Sequence, residues 1–280
     1  MKAKKKREKE YAVHSVERAL AILEALGTNP GGLGVTRLGK ELGLHKSTVH
    51  RLLATLVRYG FVEQDESTEC YRLGMRFVSL GLNYLHQLDF RREVFPYLKE
   101  LAELTGETTQ MGVLEGDEVF FLERCQSSEA ITVNLGLKAP AYCSAEGKVL
   151  LAYLSPERLR EYLRRQELKP YTINTLSNPE QLLLHLEKIK AQGYAVSAEE
   201  LADGLRGVAA PIFDVKGRVV AAIGIAGPAS RLTLERINRL VNILRETCYV
   251  ISLRLGYRPT KQQEEALSTS LKDAALRSGG

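Results

Sequence analysis

No apolar run in this 280-residue chain reaches the roughly 20 residues that span a bilayer, and its basic start precedes no apolar stretch of the secretory-signal kind. The expectation is a chain without membrane association. Cysteine is scarce and scattered. Cys70, Cys125, Cys143 and Cys248 form neither a CxxC pair nor a disulfide framework, which fits reduced thiols in a cytoplasm. The five histidines are dispersed as well: His45 and His50 fall off a common helical face and no cysteine stands near them, so neither a metal site nor a cofactor is expected. Most of the chain also lacks net charge. Residues 77–280 hold 25 basic and 25 acidic side chains, whereas residues 1–76 hold 14 Lys and Arg against 9 Asp and Glu and so carry the whole formal charge of +5. With 44% hydrophobic residues, a chain of this length supports a sizeable core and two domains.

A positive N-terminal segment suits duplex DNA, because each neutralised phosphate releases counterions. Part of the excess is the run Lys2, Lys4, Lys5, Lys6, Arg7 and Lys9, within a tail (residues 1–11) expected to be disordered. Such a run either adds sequence-independent attraction or is a solvated tail with no function.

Residues 34–62 carry the sharpest pattern. Val35, Leu38 and Leu42 recur at helical spacing, Gly43 and Leu44 supply a tight turn, and a second helix places Val49, Leu52, Leu53, Leu56 and Val57 on its apolar side. Its other face starts with His45, Lys46, Ser47, Thr48, His50 and Arg51. Short polar and cationic side chains at the start of a second helix are what the major groove meets in a helix-turn-helix, with Thr36 on the first helix as a further contact. Phe61 to Gln64 and Cys70 to Leu73 read as a hairpin around Asp65-Glu66-Ser67-Thr68, the wing of a winged helix, which sets Arg72 beside the groove. The bland alternative is a small bundle capped by a hairpin, but a bundle has no need of a cationic helix start.

The remaining periodicity predicts a helix over 15–26 capped by Ser15, a linker helix from Met75 to about Leu88 (Phe77, Leu80, Leu82, Leu85), and a helix over 90–105 ending at Gly106. Strands are expected at Thr108–Leu114, Val119–Glu123, Ile131–Asn134, Tyr194–Ser197, Val208–Phe213 and Val219–Ile225. Helices are expected at Ser144–Leu154, Ser155–Gln166, from a capping box at Ser177 to Gln192, and at Thr233–Leu255. The domain reading is a winged helix-turn-helix over 12–74, a linker helix over 75–89, a second domain over 90–257 and a polar tail over 258–280. The second domain is expected to be a mixed sheet with helices on one side, so the fold class is α+β.

In this order, SVERALAIL (Ser15–Leu23), LGLHKSTVHRLL (Leu42–Leu53), YRLGMRFVSLG (Tyr71–Gly81), AEGKVLLA (Ala145–Ala152), GYAVSAEELADGLRGVAAP (Gly193–Pro211) and AIGIAGP (Ala222–Pro228) resemble the IclR family of bacterial transcriptional regulators over roughly residues 12–257. The resemblance implies a winged helix-turn-helix joined by a linker helix to a mixed α/β sensor domain of GAF/PAS-like kind. It also implies a homodimer or tetramer on double-stranded, palindromic operator DNA, and a small organic effector that alters operator binding. Carried over residue by residue, the effector-contacting positions are Ala145 and Glu146 before the GK helix, then Ser197, Gly207, Gly224 and Ala226. Members that sense small carboxylates tend to present Asp, Cys and Ser at the last four. Their replacement here implies more room and less polarity, hence a larger, partly apolar or aromatic effector; small residues on a strand equally serve close packing.

Other chemistries are weaker. Glu199, Glu200 and Asp203 read as acids of an exposed loop rather than a catalytic or metal set, and Arg206 either meets an anionic ligand or pairs with one of them. Cys143 beside Ser144 has no nearby histidine base, the nearest following one, His185, falling on a helix. Gly34 to Lys40 satisfies GxxxxGK, yet Glu41 stands where Ser or Thr must reach Mg²⁺ and the apolar spacing demands a helix. The expectation is therefore no enzyme but a ligand-responsive transcription regulator, a repressor or dual regulator of a catabolic operon. The alternative is a metabolite-binding protein or enzyme whose N-terminal domain serves assembly.

Overall fold

The computed structural model describes residues 13–259 apart from 88, 130, 131 and 134, and the side chains of 82–90 stand outside the description. The basic tail and nearly all of the polar tail therefore lie outside the described residues, as do Ile131 and Asn134 of the expected strand; Thr132 and Val133 between them adopt no regular structure. The chain divides into two compact units that part between residues 88 and 89. No helix among the described residues is long and apolar enough to cross a membrane.

In the first unit, α1 (His14–Gly27), α2 (Val35–Leu42) and α3 (Lys46–Arg58) precede a hairpin of β1 (Val62–Gln64) and β2 (Tyr71–Leu73), followed by α4 (Arg76–Gln87). Ser15 does not cap α1. Val16 and Glu17 already donate to the Val13 carbonyl, so the first turn closes ahead of Ser15 and leaves it inside the helix. Gly43 ends α2 at φ +63°, a conformation that a Cβ disfavours. Ile22, Leu26, Leu38, Val49, Leu53 and Val62 meet in one core, and Leu33 pairs with Tyr71 to add a third short segment to the hairpin. Val57 was expected in that core and is 39% exposed. Eight residues after Val49, the helix has turned it about 80° away from the buried face.

The second unit is built on six strands: β3 (Thr108–Glu115), β4 (Glu118–Cys125), β5 (Lys138–Pro140), β6 (Ala195–Ala198), β7 (Leu205–Phe213) and β8 (Val219–Pro228). They lie in the order β5-β4-β3-β8-β7-β6, and every pairing is antiparallel, where a mixed sheet was expected. Helices cover both faces rather than one. The cause is an alternation of facing along β7 and β8, with the bulkier side chains mostly on one side. Val208, Ala210, Ile212, Ala221, Ile223 and Ile225 point to a core with α5 (Asp89–Thr105) and α9 (Leu234–Arg254). Ala209 and Ala222, with glycines interspersed, face the core of α6 (Ala145–Ala152), α7 (Pro156–Arg165) and α8 (Pro179–Gln192). That small-residue floor lets α6 lie so close that all eight of its residues are buried. Gly147 serves a different close approach, to the turn that precedes the helix, since a Cβ there would stand 2.2 Å from the Ala141 carbonyl oxygen.

Caps fix the ends of these helices. Ser144, Ser155 and Thr233 accept from the first turns of α6, α7 and α9. On α8 the cap is Asn178, not Ser177, because Pro179 takes the first helical position and Asn178 Oδ1 accepts from Glu180 N and Gln181 N. Buried Glu107 ties the start of β3 to the start of α9 by accepting from Arg231 at 2.7 Å and Arg236 at 2.9 Å.

Candidate functional site

The first candidate surface is the start of α3. His45 precedes it in an extended conformation, and no side chain caps it, so the leading amides are left to an outside acceptor. Thr36, His45, Lys46, Ser47, His50 and Arg51 are exposed and Thr48 is half-buried. Among the described residues, none of these seven side chains spends itself on an internal hydrogen bond or ion pair. Arg72 differs: its Nε donates to Glu63 at 2.8 Å across the hairpin, so part of its guanidinium is already engaged within the wing. The wing turn is organised by Asp65, whose Oδ1 accepts from Ser67 Oγ and from the amides of Ser67 and Thr68; these bonds, that to the Ser67 hydroxyl foremost, hold its carboxyl below the usual range. Gly39, the second glycine of GxxxxGK, lies within α2, and a Cβ on it would meet the Leu44 carbonyl oxygen at 2.8 Å. It serves the close helix-to-turn crossing, with Leu44 N donating to its carbonyl.

The second candidate is a pocket between α6 and the small-residue side of the sheet. Ala145, Glu146, Ser197, Gly207 and Ala226 line it. Gly224 does not, contrary to expectation. It lies under Glu146, where a Cβ would stand 2.0 Å from Glu146 Oε1, so its role is to make space for that carboxylate. Among the other lining residues, Gln110, Phe121, Leu135, Lys138 and Ala139 were not foreseen. All but Leu135 come from strands β3, β4 and β5, which reach the pocket through the β3–β8 pairing; the one local signal was Gln110, a lone amide on β3. Glu146 is 4% exposed, and Gln110 Nε2 donates to its Oε1 at 2.9 Å. Burial pushes its carboxyl above the usual range, against the pull of Gln110 and of Arg124.

Beside the pocket, the acids of the 199–203 loop separate. Asp203 is exposed, and Glu199 pairs with Arg206 at 2.8 Å, which makes the structural ion pair the actual role of Arg206 here. Glu200, expected in an exposed loop, is buried and pairs with fully buried Lys148 at 2.5 Å; Lys148 Nζ also donates to the Val196 carbonyl at 2.7 Å. The reason is that the preceding strand β6 turns the loop back over α6. Burial lowers the Lys148 pKa and raises that of Glu200. Burial likewise drives the Cys143 thiol up to about 12, which leaves it no thiolate for nucleophilic work near neutral pH.

A DNA-reading winged helix-turn-helix joined to a domain with a lined pocket defines a ligand-responsive transcription regulator. Residues 15–66 match the IclR helix-turn-helix domain, and residues 82–253 match the bacterial transcriptional regulator IclR C-terminal domain. The chain belongs to the IclR family. It is similar to the transcriptional regulator BhcR of Paracoccus denitrificans, 34% identical over 255 residues that cover 90% of each chain. Among solved structures, IclR of Thermotoga maritima is 32% identical, with a TM-score of 0.66 over 87% of this chain and 99% of that one. An IclR homolog from Microbacterium hydrocarbonoxydans complexed with 4-hydroxybenzoate is 28% identical, with a TM-score of 0.73 over 86% of this chain and 98% of that one.

Proposed function

We propose that this regulator reads a palindromic operator as a homodimer or tetramer through Thr36, His45, Lys46, Ser47, Thr48, His50 and Arg51, with Arg72 reaching a flanking phosphate. The observation that carries this is the set of side chains at the start of α3, all exposed but half-buried Thr48, and unengaged among the described residues. The protein acts in the cytoplasm as a repressor or dual regulator of a catabolic operon and performs no catalysis. Its effector occupies the pocket against α6. With Phe121, Leu135, Leu201 and Leu205 on the wall, the pocket suits a ring-sized, partly apolar molecule. The neighbour that holds 4-hydroxybenzoate supports an effector of that size.

The effector changes operator affinity only through unequal binding to two arrangements of the DNA-reading domains. Helix α4, between reader and sensor in the sequence, is the lever, since half-site spacing tolerates little change. The test is binding of the full-length protein to the DNA upstream of its own gene. A salt-dependent affinity that falls on His50→Ala/Arg51→Ala, with the melting temperature unchanged, is the expected result. Indifference to that DNA and to other candidate operators at low salt overturns the reading. A thermal-shift screen of catabolic metabolites tests the pocket, because a ligand at a hundred times its Kd adds about 2.7 kcal/mol. Stabilisation confined to glyoxylate- or pyruvate-sized acids overturns the ring-sized effector.

A further inference from the structure

The charged groups of the pocket wall are unequally engaged. Lys138 pairs with Glu118 at 2.5 Å and Arg206 with Glu199 at 2.8 Å, so both cations that line the pocket already have carboxylate partners. Glu146 is the one acid that lines it, and among the described residues no cation stands within ion-pair distance. The nearest guanidinium, Arg124, is spent elsewhere. It donates to Gln110 Oε1 at 3.0 Å and to the carbonyls of Leu135 and Gly136, both at 2.7 Å, and lies over the Phe121 ring. A carboxylate has about four acceptor sites; among the described residues Gln110 is the only side chain that donates to this one, beside its own backbone amide.

The floor is shaped around that carboxylate. Gly224 on β8 leaves the space its Oε1 occupies. Glu146 therefore has a niche in the sheet for its Oε1, while the residue also lines the pocket. A ligand that covered it without offering a proton would leave its remaining acceptor sites unpaired in the interior, which is costly for a buried polar group. A second carboxylate would add repulsion between like charges.

We propose that Glu146 selects the effector: the pocket takes a molecule that presents a hydrogen-bond donor, a hydroxyl or an amine, to the Glu146 carboxylate, with its apolar body against Phe121 and Leu135. This rests on the pocket being the effector site. Matched ring compounds separate the two claims. Full-length protein is titrated calorimetrically with 4-hydroxybenzoate and 4-aminobenzoate, and with 4-methylbenzoate, which has the same outline but no donor, and terephthalate, which sets an acid in the donor's place. The hydroxyl and amine compounds bind about tenfold or more tighter than the other two, and Glu146→Met collapses that ratio. Glu146→Gln, which keeps the shape, narrows it, so a misfolded Met variant does not decide the matter. Equal affinity for hydroxyl and methyl compounds, a ratio that both variants leave unchanged, or binding of none of the four overturns the donor proposal. Ala226→Phe fills the pocket and reports on the site alone. Loss of all binding in that variant upholds the pocket even where the donor preference fails, and retained binding with its preference overturns both.

Discussion

Gly224→Ala puts the fit between β8 and α6 to a direct test. The added methyl lands 2.0 Å from Glu146 Oε1 and 2.5 Å from its Cδ, so the carboxylate has to leave its niche. Two costs follow: the Gln110 hydrogen bond is lost, about 0.5–1.5 kcal/mol, and a close-packed site takes extra volume, about 1–3 kcal/mol. Roughly 2 kcal/mol or more is therefore expected, a fall of about 4–8 °C in the melting temperature of a unit this size. In a Glu146→Ala background the same methyl enters emptied space and costs close to nothing. The double-mutant cycle thus returns a coupling of about 2 kcal/mol, where independent sites agree within about 0.5. Circular dichroism during heating and in urea serves as the readout; the chain has no tryptophan, and tyrosine fluorescence is the second probe. A neutral Gly224→Ala, or one equally costly in both backgrounds, refutes the assignment of Gly224 as the space for Glu146.

Three further outcomes are expected. Arg51→Ala leaves the melting temperature unchanged, because the side chain is exposed and unengaged, but lowers operator affinity; if it meets a phosphate, the slope of log K against log salt shrinks by about 0.9, and an unchanged slope and affinity remove Arg51 from the interface. Lys148→Met strands the Glu200 carboxylate in the interior and costs about 3–5 kcal/mol in urea unfolding, while Lys148→Met/Glu200→Leu recovers most of the loss; a single variant as stable as the parent contradicts the buried pair. Burial, with the charges of Lys148 and Lys188 beside it, depresses His185 from 6.5 to about 4, so its contribution to stability is present above pH 6.5 and lost as the pH falls towards 4. His185→Gln should flatten that acid limb of the stability profile, and an identical limb in both proteins overturns the assignment.

Legibility from sequence followed the range of the interactions. The helix-turn-helix is local, so the spacing of Val35, Leu38, Val49 and Leu53 and the glycine at 43 were enough to place it. Helix ends were less legible, because Ser15 and Ser177 look like caps until the backbone bonds of Val13 and the ring of Pro179 decide otherwise. The sheet's second covered face was concealed by composition: Gly207, Ala209, Ala222 and Gly224 alternate with large residues and so read as the weak side of a half-solvated sheet. Smallness there is what admits α6. The resemblance to relatives pointed to the α6 side of the pocket through Ala145, Glu146 and Ser197, but it could not supply Gln110 and Phe121, which arrive through a pairing of strands remote in sequence. Nor could spacing show that Glu200 and Lys148 meet, since their partnership depends on how β6 lies over α6.

That remote pairing has a consequence for biosynthesis. Thr108 of β3 sits opposite Ala226 of β8, and β4 to β7 are all spelled out between them. A ribosome therefore delivers the winged helix-turn-helix, whose contacts are short-range and close quickly, well before the centre of the second sheet can exist. For that interval the nascent chain holds a finished DNA reader and an unfinished receiver. A stop codon or proteolytic cut between β3 and β8 would release the winged helix-turn-helix without a complete second sheet.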